Sequence, residues 1–159
     1  MGKIMISHIF YDFDGVMTDN MAYVDQNGNE MVRVNRSDGL AISEIRKLGI
    51  TQLIFSTEDN KVVSARAKKL KIDCLQGIQN KEEALSNFCK INLINLKDVI
   101  FVGNDINDKE AMKISGLSIC PSDAHSEIKK IASIELTSAG GNGVIREVFD
   151  KITKGEIHV

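Results

Sequence analysis

Tryptophan is absent from this 159-residue chain, aromatic residues make up 5% of it, and Pro121 is its single proline. So few aromatics argue against a base-stacking surface for nucleic acid. An excess of charge of one sign is also missing. The 20 Lys+Arg against 22 Asp+Glu leave a formal net charge of −2, which argues against a dedicated nucleic-acid binder. No apolar run approaches the ~18 residues that a membrane span requires. One proline cannot mark a domain boundary, and repeats, low-complexity tracts and linkers are lacking. Cys74, Cys89 and Cys120 are the three cysteines. They are far apart and form no C-x-x-C, so neither a zinc site nor a redox pair is indicated. They read as small buried residues in a reducing compartment. Met1 to Phe10 carries one Lys and no long apolar core, unlike a secretory signal. The expected location is the cytoplasm.

What is present is an ordinary globular composition, 43% hydrophobic and 26% charged. The length fits one domain over 1–159, able to bury roughly 70% of its unfolded surface. Ile6 to Phe13, Gln52 to Phe55, Val99 to Val102 and Leu117 to Cys120 are apolar runs of strand length. Helical patterns lie between them. Asp38 to Leu48 carries Leu40, Ile42, Ile45 and Leu48 on roughly one side. Asn60 to Leu70 carries Val63, Ala67 and Leu70. Asn80 can cap a helix over Lys81 to Lys90, with Glu83 at the third position. A helix starting near Asp108 ends at Ser115-Gly116, and Val144 to Lys154 reads as a final helix. Strands alternating with helices predict an α/β fold with a three-layer, Rossmann-like parallel sheet. One insertion interrupts the alternation: Met21 to Val34 reads as a β-hairpin around Asn27-Gly28.

Ligands of open α/β sheets bind at the carboxyl ends of the strands. The first strand ends in Asp12-Phe13-Asp14-Gly15. Two carboxylates there repel one another unless a cation neutralises them, and Mg²⁺ is the natural hard partner for oxygen ligands. A carboxylate can also attack phosphorus. The plainer alternative is a loop of solvated or helix-capping Asp residues. A second strand ends at Ser56-Thr57, hydroxyls suited to phosphate or, more simply, to capping. Lys81 opens a helix where it could hold an anion, although most Lys are surface charges. The run Val99 to Val102 leads into Gly103-Asn104-Asp105-Ile106-Asn107-Asp108, a second oxygen-rich loop in which Asp108 could also cap a helix.

In this order the four segments resemble the signature of the haloacid dehalogenase superfamily of phosphotransferases, over nearly the whole chain. The resemblance implies Asp12 as nucleophile, Asp14 as general acid/base, Ser56 as phosphoryl binder and Lys81 as neutralising cation. It implies a Mg²⁺ site built from Asp12, Asp14 and the Asn104 to Asp108 loop, with Asn104, Asp105 and Asp108 as candidate ligands. Only a hairpin and one helix separate Asp14 from Ser56, so no cap domain is expected. The chain looks like the capless group of 3-deoxy-D-manno-octulosonate 8-phosphate and nononate 9-phosphate phosphatases. It is also similar to the C-terminal domain of some CMP-sialate synthetases. The features that carry this are F-D-G-V-M-T-D-N, the hairpin Tyr23 to Gly28, Arg36-Ser37-Asp38-Gly39 and Gly140-Gly141-Asn142-Gly143-Val144.

That group implies a homotetramer in which a neighbour covers the site, the hairpin packing between subunits. Met21, Tyr23, Met31 and Val32 have no obvious partner within one small domain. The implied substrate is a small sugar-acid phosphate, with Thr57, Glu58, Arg66 and Lys69 as binding residues. Octulosonate phosphatases typically carry Arg where this chain has Glu58; nononate enzymes resemble it in carrying Glu. The family usually has Asp at position 104, where Asn104 adds no charge. Two other readings compete. One is a catalytically weak oligomerisation module partnering a sialate cytidylyltransferase. The other is a phosphoacceptor receiver domain, disfavoured because Asp12 and Asp14 both end the first strand.

Overall fold

The structure is a computed structural model that describes residues 5–159. The reading of Met1 to Phe10 falls in part on residues 1–4, outside the described residues. Six parallel strands form the central sheet: β1 (His8–Tyr11), β4 (Thr51–Phe55), β5 (Asp73–Leu75), β6 (Val99–Val102), β7 (Leu117–Cys120) and β8 (Ile134–Glu135). Their spatial order is β5-β4-β1-β6-β7-β8. Between β1 and β4 come the antiparallel hairpin strands β2 (Thr18–Val24) and β3 (Glu30–Val34).

The helices are α1 (Arg36–Lys47), α2 (Lys61–Leu70), α3 (Lys81–Ile91), α4 (Lys109–Ile114), α5 (Ser126–Ile131) and α6 (Val144–Thr153). Strand alternation sorts them into two layers. Ile9, Tyr11, Ile54, Ile100 and Val102 pack with residues of α1, α2 and α6 on one face. Phe10, Leu53, Phe55, Val99 and Phe101 pack with residues of α3, α4 and α5 on the other. The second face includes edge-on rings, with Phe10 centred 5.2 Å from Phe55 and 5.6 Å from Phe88.

Three local readings need correction. In α1 the buried side is Asp38, Ala41, Ile42 and Ile45, while Leu40 and Leu48 are 64% and 49% exposed. Leu40 is only two residues from Ile42, which on a helix turns it about 160–200° away. In the hairpin, Val32 turns inward against the core, whereas Met21, Tyr23, Val24 and Met31 face water. The alternation of β3 separates Val32 from Met31. The Asn27-Gly28 connection is also longer than a two-residue turn. Residues 25–29 link the strands, and the Asp25 carboxylate accepts from Asn27 N and Asn29 N.

β1 is shorter than the apolar run containing it. The chain bends after Asp12, whose N–H still donates to Val102 O at 2.9 Å. The Phe13 carbonyl then accepts from Met17 N at 2.9 Å, closing a tight loop.

Candidate active site

β1 is central, flanked by β4 and β6. The loops leaving these strands therefore meet at one edge, with the N-terminus of α3 beside them. The Asp12 loop turns through Gly15 at φ +81°, a conformation that favours glycine. Gly140 and Gly141 buttress it from behind. A Cβ on Gly140 would come 2.2 Å from Gly15 O, and one on Gly141 2.6 Å from Asp19 N. Gly141 N donates to Val16 O at 3.1 Å. That close backbone approach is the physical sense of the Gly-Gly pair.

Lys81 is the hub. Its side chain is 0% exposed and its Nζ lies 3.0 Å from Asp12 Oδ1 and 2.7 Å from Asp108 Oδ1. The helix start after Asn80, whose amide oxygen accepts from Glu83 N at 3.0 Å, aims Lys81 inward. Burial acts to lower the lysine's pKa, but the two carboxylates outweigh it and the net shift is upward. Asp12 Oδ1 also accepts from Phe13 N at 2.7 Å. Burial, then the charge of Asp108, drive the Asp12 pKa well above the usual carboxylate range against the pull of Lys81. Two carboxylates around one ammonium leave the pocket an excess negative charge.

The loop after β6 arranges Asp108 and Asn104 differently. Asp108 Oδ2 accepts from Asn104 N at 2.9 Å and Asp105 N at 3.2 Å. With Oδ1 on Lys81, both its oxygens are engaged by protein donors. Asn104 is buried, and one end of its amide stands 3.0 Å from Asp12 Oδ2 and 2.9 Å from the Asp14 carbonyl oxygen. Asp105 points elsewhere: it is exposed, and its carboxylate caps the 3-10 turn Ile106–Asp108, accepting from Ile106 N at 2.7 Å.

Asp14 is half-buried. Burial, then the charges of Glu58 and Glu30, raise its pKa, with Lys81 pulling the other way. Ser56 is buried at the end of β4. Its Oγ accepts from Glu58 N at 3.1 Å, which leaves the hydroxyl proton free to donate. Thr57 is exposed and accepts from Asn107 Nδ2 at 3.3 Å. Glu58 Oε1 accepts from Asp59 N and Asn60 N at 3.1 and 3.2 Å.

Arg66 and Lys69 lie farther along α2. With Arg36, Gly39, Leu40 and Leu70 they line a groove of about 410 Å³ between α1 and α2. Arg66 Nη2 donates to Asn35 O at 3.2 Å. The structure thus brings Asp12, Lys81, Asn104 and Asp108 into direct contact, sets Asp14, Ser56, Thr57 and Glu58 on the same edge, and puts Arg66 and Lys69 in a neighbouring groove.

Sequence reasoning missed two rim residues. Glu30, on β3, accepts from Asn60 Nδ2 at 3.0 Å and ties the hairpin to the loop after β4. Asn107 bridges the loops after β6 and β4. A hairpin leaving the first strand beside the site was the available signal for Glu30, and the oxygen-rich run Gly103 to Asp108 was that for Asn107.

Residues 42–148 match the haloacid dehalogenase-like hydrolase family. The chain is 34% identical over 143 residues to the 3-deoxy-D-manno-octulosonate 8-phosphate phosphatase of Escherichia coli K12, covering 89% of this chain and 76% of that protein. The Moraxella catarrhalis 3-deoxy-D-manno-octulosonate 8-phosphate phosphatase, solved with magnesium, phosphate and KDO, superposes with a TM-score of 0.90. It is 29% identical, with 94% of this chain and 86% of that one covered. The cobalt-bound deoxy-D-mannose-octulosonate 8-phosphate phosphatase of Haemophilus influenzae gives a TM-score of 0.89 at 28% identity, covering 95% and 89%. Conserved fold, matching sequence and a lysine-bridged carboxylate edge agree: the chain belongs to the haloacid dehalogenase-like hydrolase family, is a phosphatase, and falls in the capless group represented by the 3-deoxy-D-manno-octulosonate 8-phosphate phosphatases.

Proposed function

We propose that this chain hydrolyses the phosphate ester of an acidic keto-sugar, a nonulosonate 9-phosphate or a 3-deoxy-octulosonate 8-phosphate, through an aspartyl phosphate on Asp12. The observation that carries this is Lys81, buried between Asp12 and Asp108 at the carboxyl edge of the sheet. A phosphatase needs a nucleophile held among donors that offset phosphoryl charge, and this arrangement supports that role. Asp12 attacks phosphorus as the P–O bond to the sugar breaks. Asp14 gives its proton to the departing alkoxide. Water then attacks the aspartyl phosphate, Asp14 takes the water's proton, and the P–O bond to Asp12 breaks. A raised Asp14 pKa suits the first of these proton transfers. Ser56 would donate its hydroxyl proton to a phosphoryl oxygen.

Mg²⁺ fits the donor set. Asp12 Oδ2, the Asp14 carbonyl and the Asn104 amide bring together hard oxygen donors beside an excess negative charge. The 2.9 and 3.0 Å separations compare with roughly 3.0 Å between adjacent oxygens around a Mg²⁺ with ~2.1 Å bonds. Asn104 is thus the better ligand candidate than Asp105, which caps its own turn, and Asp108 acts through Lys81 and the loop backbone. When bound, the cation would supply Lewis-acid stabilisation of the phosphoryl oxygens.

Glu58 supports the nonulosonate over the octulosonate, since the resemblance assigns Glu at this position to nononate enzymes and Arg to octulosonate phosphatases. Arg66 and Lys69 are suited to a sugar-acid carboxylate if the substrate reaches the α1–α2 groove. Exposed Met21, Tyr23, Val24 and Met31 on the hairpin support a homotetramer in which a neighbour covers the Asp12 edge. No helix among the described residues is long and apolar enough to cross a membrane. The oligomerisation-module reading rests on Asn104 alone.

Steady-state hydrolysis of both sugar-acid phosphates and p-nitrophenyl phosphate, with Mg²⁺ and with chelator, tests the proposal. The expected result is Mg²⁺-dependent turnover with the nonulosonate 9-phosphate preferred. No hydrolysis of any sugar-acid phosphate by the Mg²⁺-saturated protein would overturn it.

A further inference from the structure

Asn104 is fixed at its backbone and free only at its amide. Its N–H donates to Asp108 Oδ2 at 2.9 Å, and its carbonyl accepts from His125 N at 2.9 Å. The residue is 7% exposed. The amide end that faces Asp12 Oδ2 and the Asp14 carbonyl meets only acceptors, at 3.0 and 2.9 Å. An oxygen at that end, with no cation present, would set three acceptors against one another out of water, which is costly. A nitrogen there makes two hydrogen bonds, one of them to a carboxylate.

The opposite end of the amide packs on Gly15. A Cβ at that position would lie 2.0 Å from Asn104 Nδ2, so the missing side chain makes the room. The two ends of an amide are almost equal in size and opposite in hydrogen-bonding sense. A half-turn about the last side-chain bond therefore exchanges donor for acceptor without displacing the loop.

We infer that Asn104 is a reversible amide switch in the cation site. Without metal its NH₂ group donates to Asp12 and to the Asp14 carbonyl and holds the edge together. When Mg²⁺ binds, the amide turns and presents its oxygen. This rests on the reading of Asp12, Asp14 and Asn104 as the Mg²⁺ site. An aspartate at this position could perform only the second role. Metal-free, it would set a second carboxylate about 3 Å from that of Asp12, where like charges repel. Asn104 thus exchanges metal affinity for a metal-free edge that is already ordered.

Two measurements on the full chain test the switch. The first is the melting temperature of wild type and Asn104→Asp in chelator and across a MgCl₂ titration, with Mg²⁺ binding followed by calorimetry. Asn104→Asp should melt about 2–4 °C below wild type in chelator, gain more from Mg²⁺, and bind it about tenfold more tightly. The second is NMR of the wild-type Asn104 side-chain NH₂, assigned from its own backbone, which decides the matter even if the variant fails to fold. Its resonances should shift on Mg²⁺ saturation, and the slow exchange of its protons with water should be lost. A variant as stable as wild type in chelator, or NH₂ resonances unmoved by bound Mg²⁺, would overturn the switch. Absence of Mg²⁺ binding to both proteins would overturn the cation-site reading itself, and the switch with it.

Discussion

At the carboxyl edge of the sheet, Lys81 and Asp108 are shut away from water with Asp12 almost as deeply buried, while on the hairpin Met21, Tyr23, Val24 and Met31 stand in it. Each region inverts the ordinary distribution of side chains, in opposite senses. Buried charge and clustered exposed apolar surface are the two departures that carry information. The first is met within the chain, because Lys81 stands at hydrogen-bond distance from both buried carboxylates. The second finds no resolution among the described residues. A buried polar cluster closed on itself is suited to hold atoms still, and an open apolar hairpin is suited to meet another surface.

Four experiments would break or sharpen this contrast. Asp12→Asn should retain the fold by circular dichroism and lose at least ~10³-fold in turnover, the scale expected on removing the proposed nucleophile. Near-normal turnover would end its assignment as nucleophile. Lys81→Met should leave Asp12 and Asp108 unpaired in a buried site and cost about 3–5 kcal/mol of stability in urea unfolding. A much smaller cost would mean that the cluster relaxes or takes up protons instead.

Tyr23→Asp combined with Met31→Asp probes the open region. These residues are paired in register on one face of the hairpin. The double variant should be monomeric by light scattering. It should also lose about tenfold more activity on a sugar-acid phosphate than on p-nitrophenyl phosphate, as expected when only the larger substrate needs a neighbouring lid. Equal losses on the two substrates would separate the hairpin from the site.

The smallest effect belongs to Asp38, a buried carboxylate outside both regions. It accepts from Arg146 N at 3.2 Å at the start of α6, and burial pushes its pKa up to about 6 from 3.8. A carboxyl with a raised folded-state pKa binds more protons folded than unfolded between those values. Its contribution to stability therefore falls as pH rises from about 4 to about 6 and then levels off. Asp38→Asn removes that titration. From pH 5 to 7.5 it should gain about 1–1.5 kcal/mol on wild type in urea unfolding. Parallel pH profiles would show that Asp38 titrates normally.

The sheet and the chemistry at its edge were legible to different depths. The core strands β1, β4, β6 and β7 were readable because each is a mostly apolar run buried on both faces. The edge strands β5 and β8 were not, being three and two residues long and carrying mixed side chains. Periodicity placed Val63, Ala67 and Leu70 on the inner face of α2 but misjudged Leu40 and Val32. Apolar character alone does not say which side of an element the core lies on. Lys81 was legible as a residue at a helix start and not as a buried one.

The sequence by itself determined which residues stand at the ends of the strands. That relation is local: the residue after a strand emerges at the sheet's edge wherever the strand lies, so Asp12, Ser56 and Asn104 fall there together. The pairings were decided only by the tertiary structure. Lys81 meets Asp12 and Asp108 because the strand order puts β1 between β4 and β6. Glu30 meets Asn60 because the hairpin folds back over the loop after β4. Asn104 faces two acceptors because Gly15 lets its amide approach. Each of these depends on segments far apart in the chain coming within a few ångströms, which composition and periodicity do not encode.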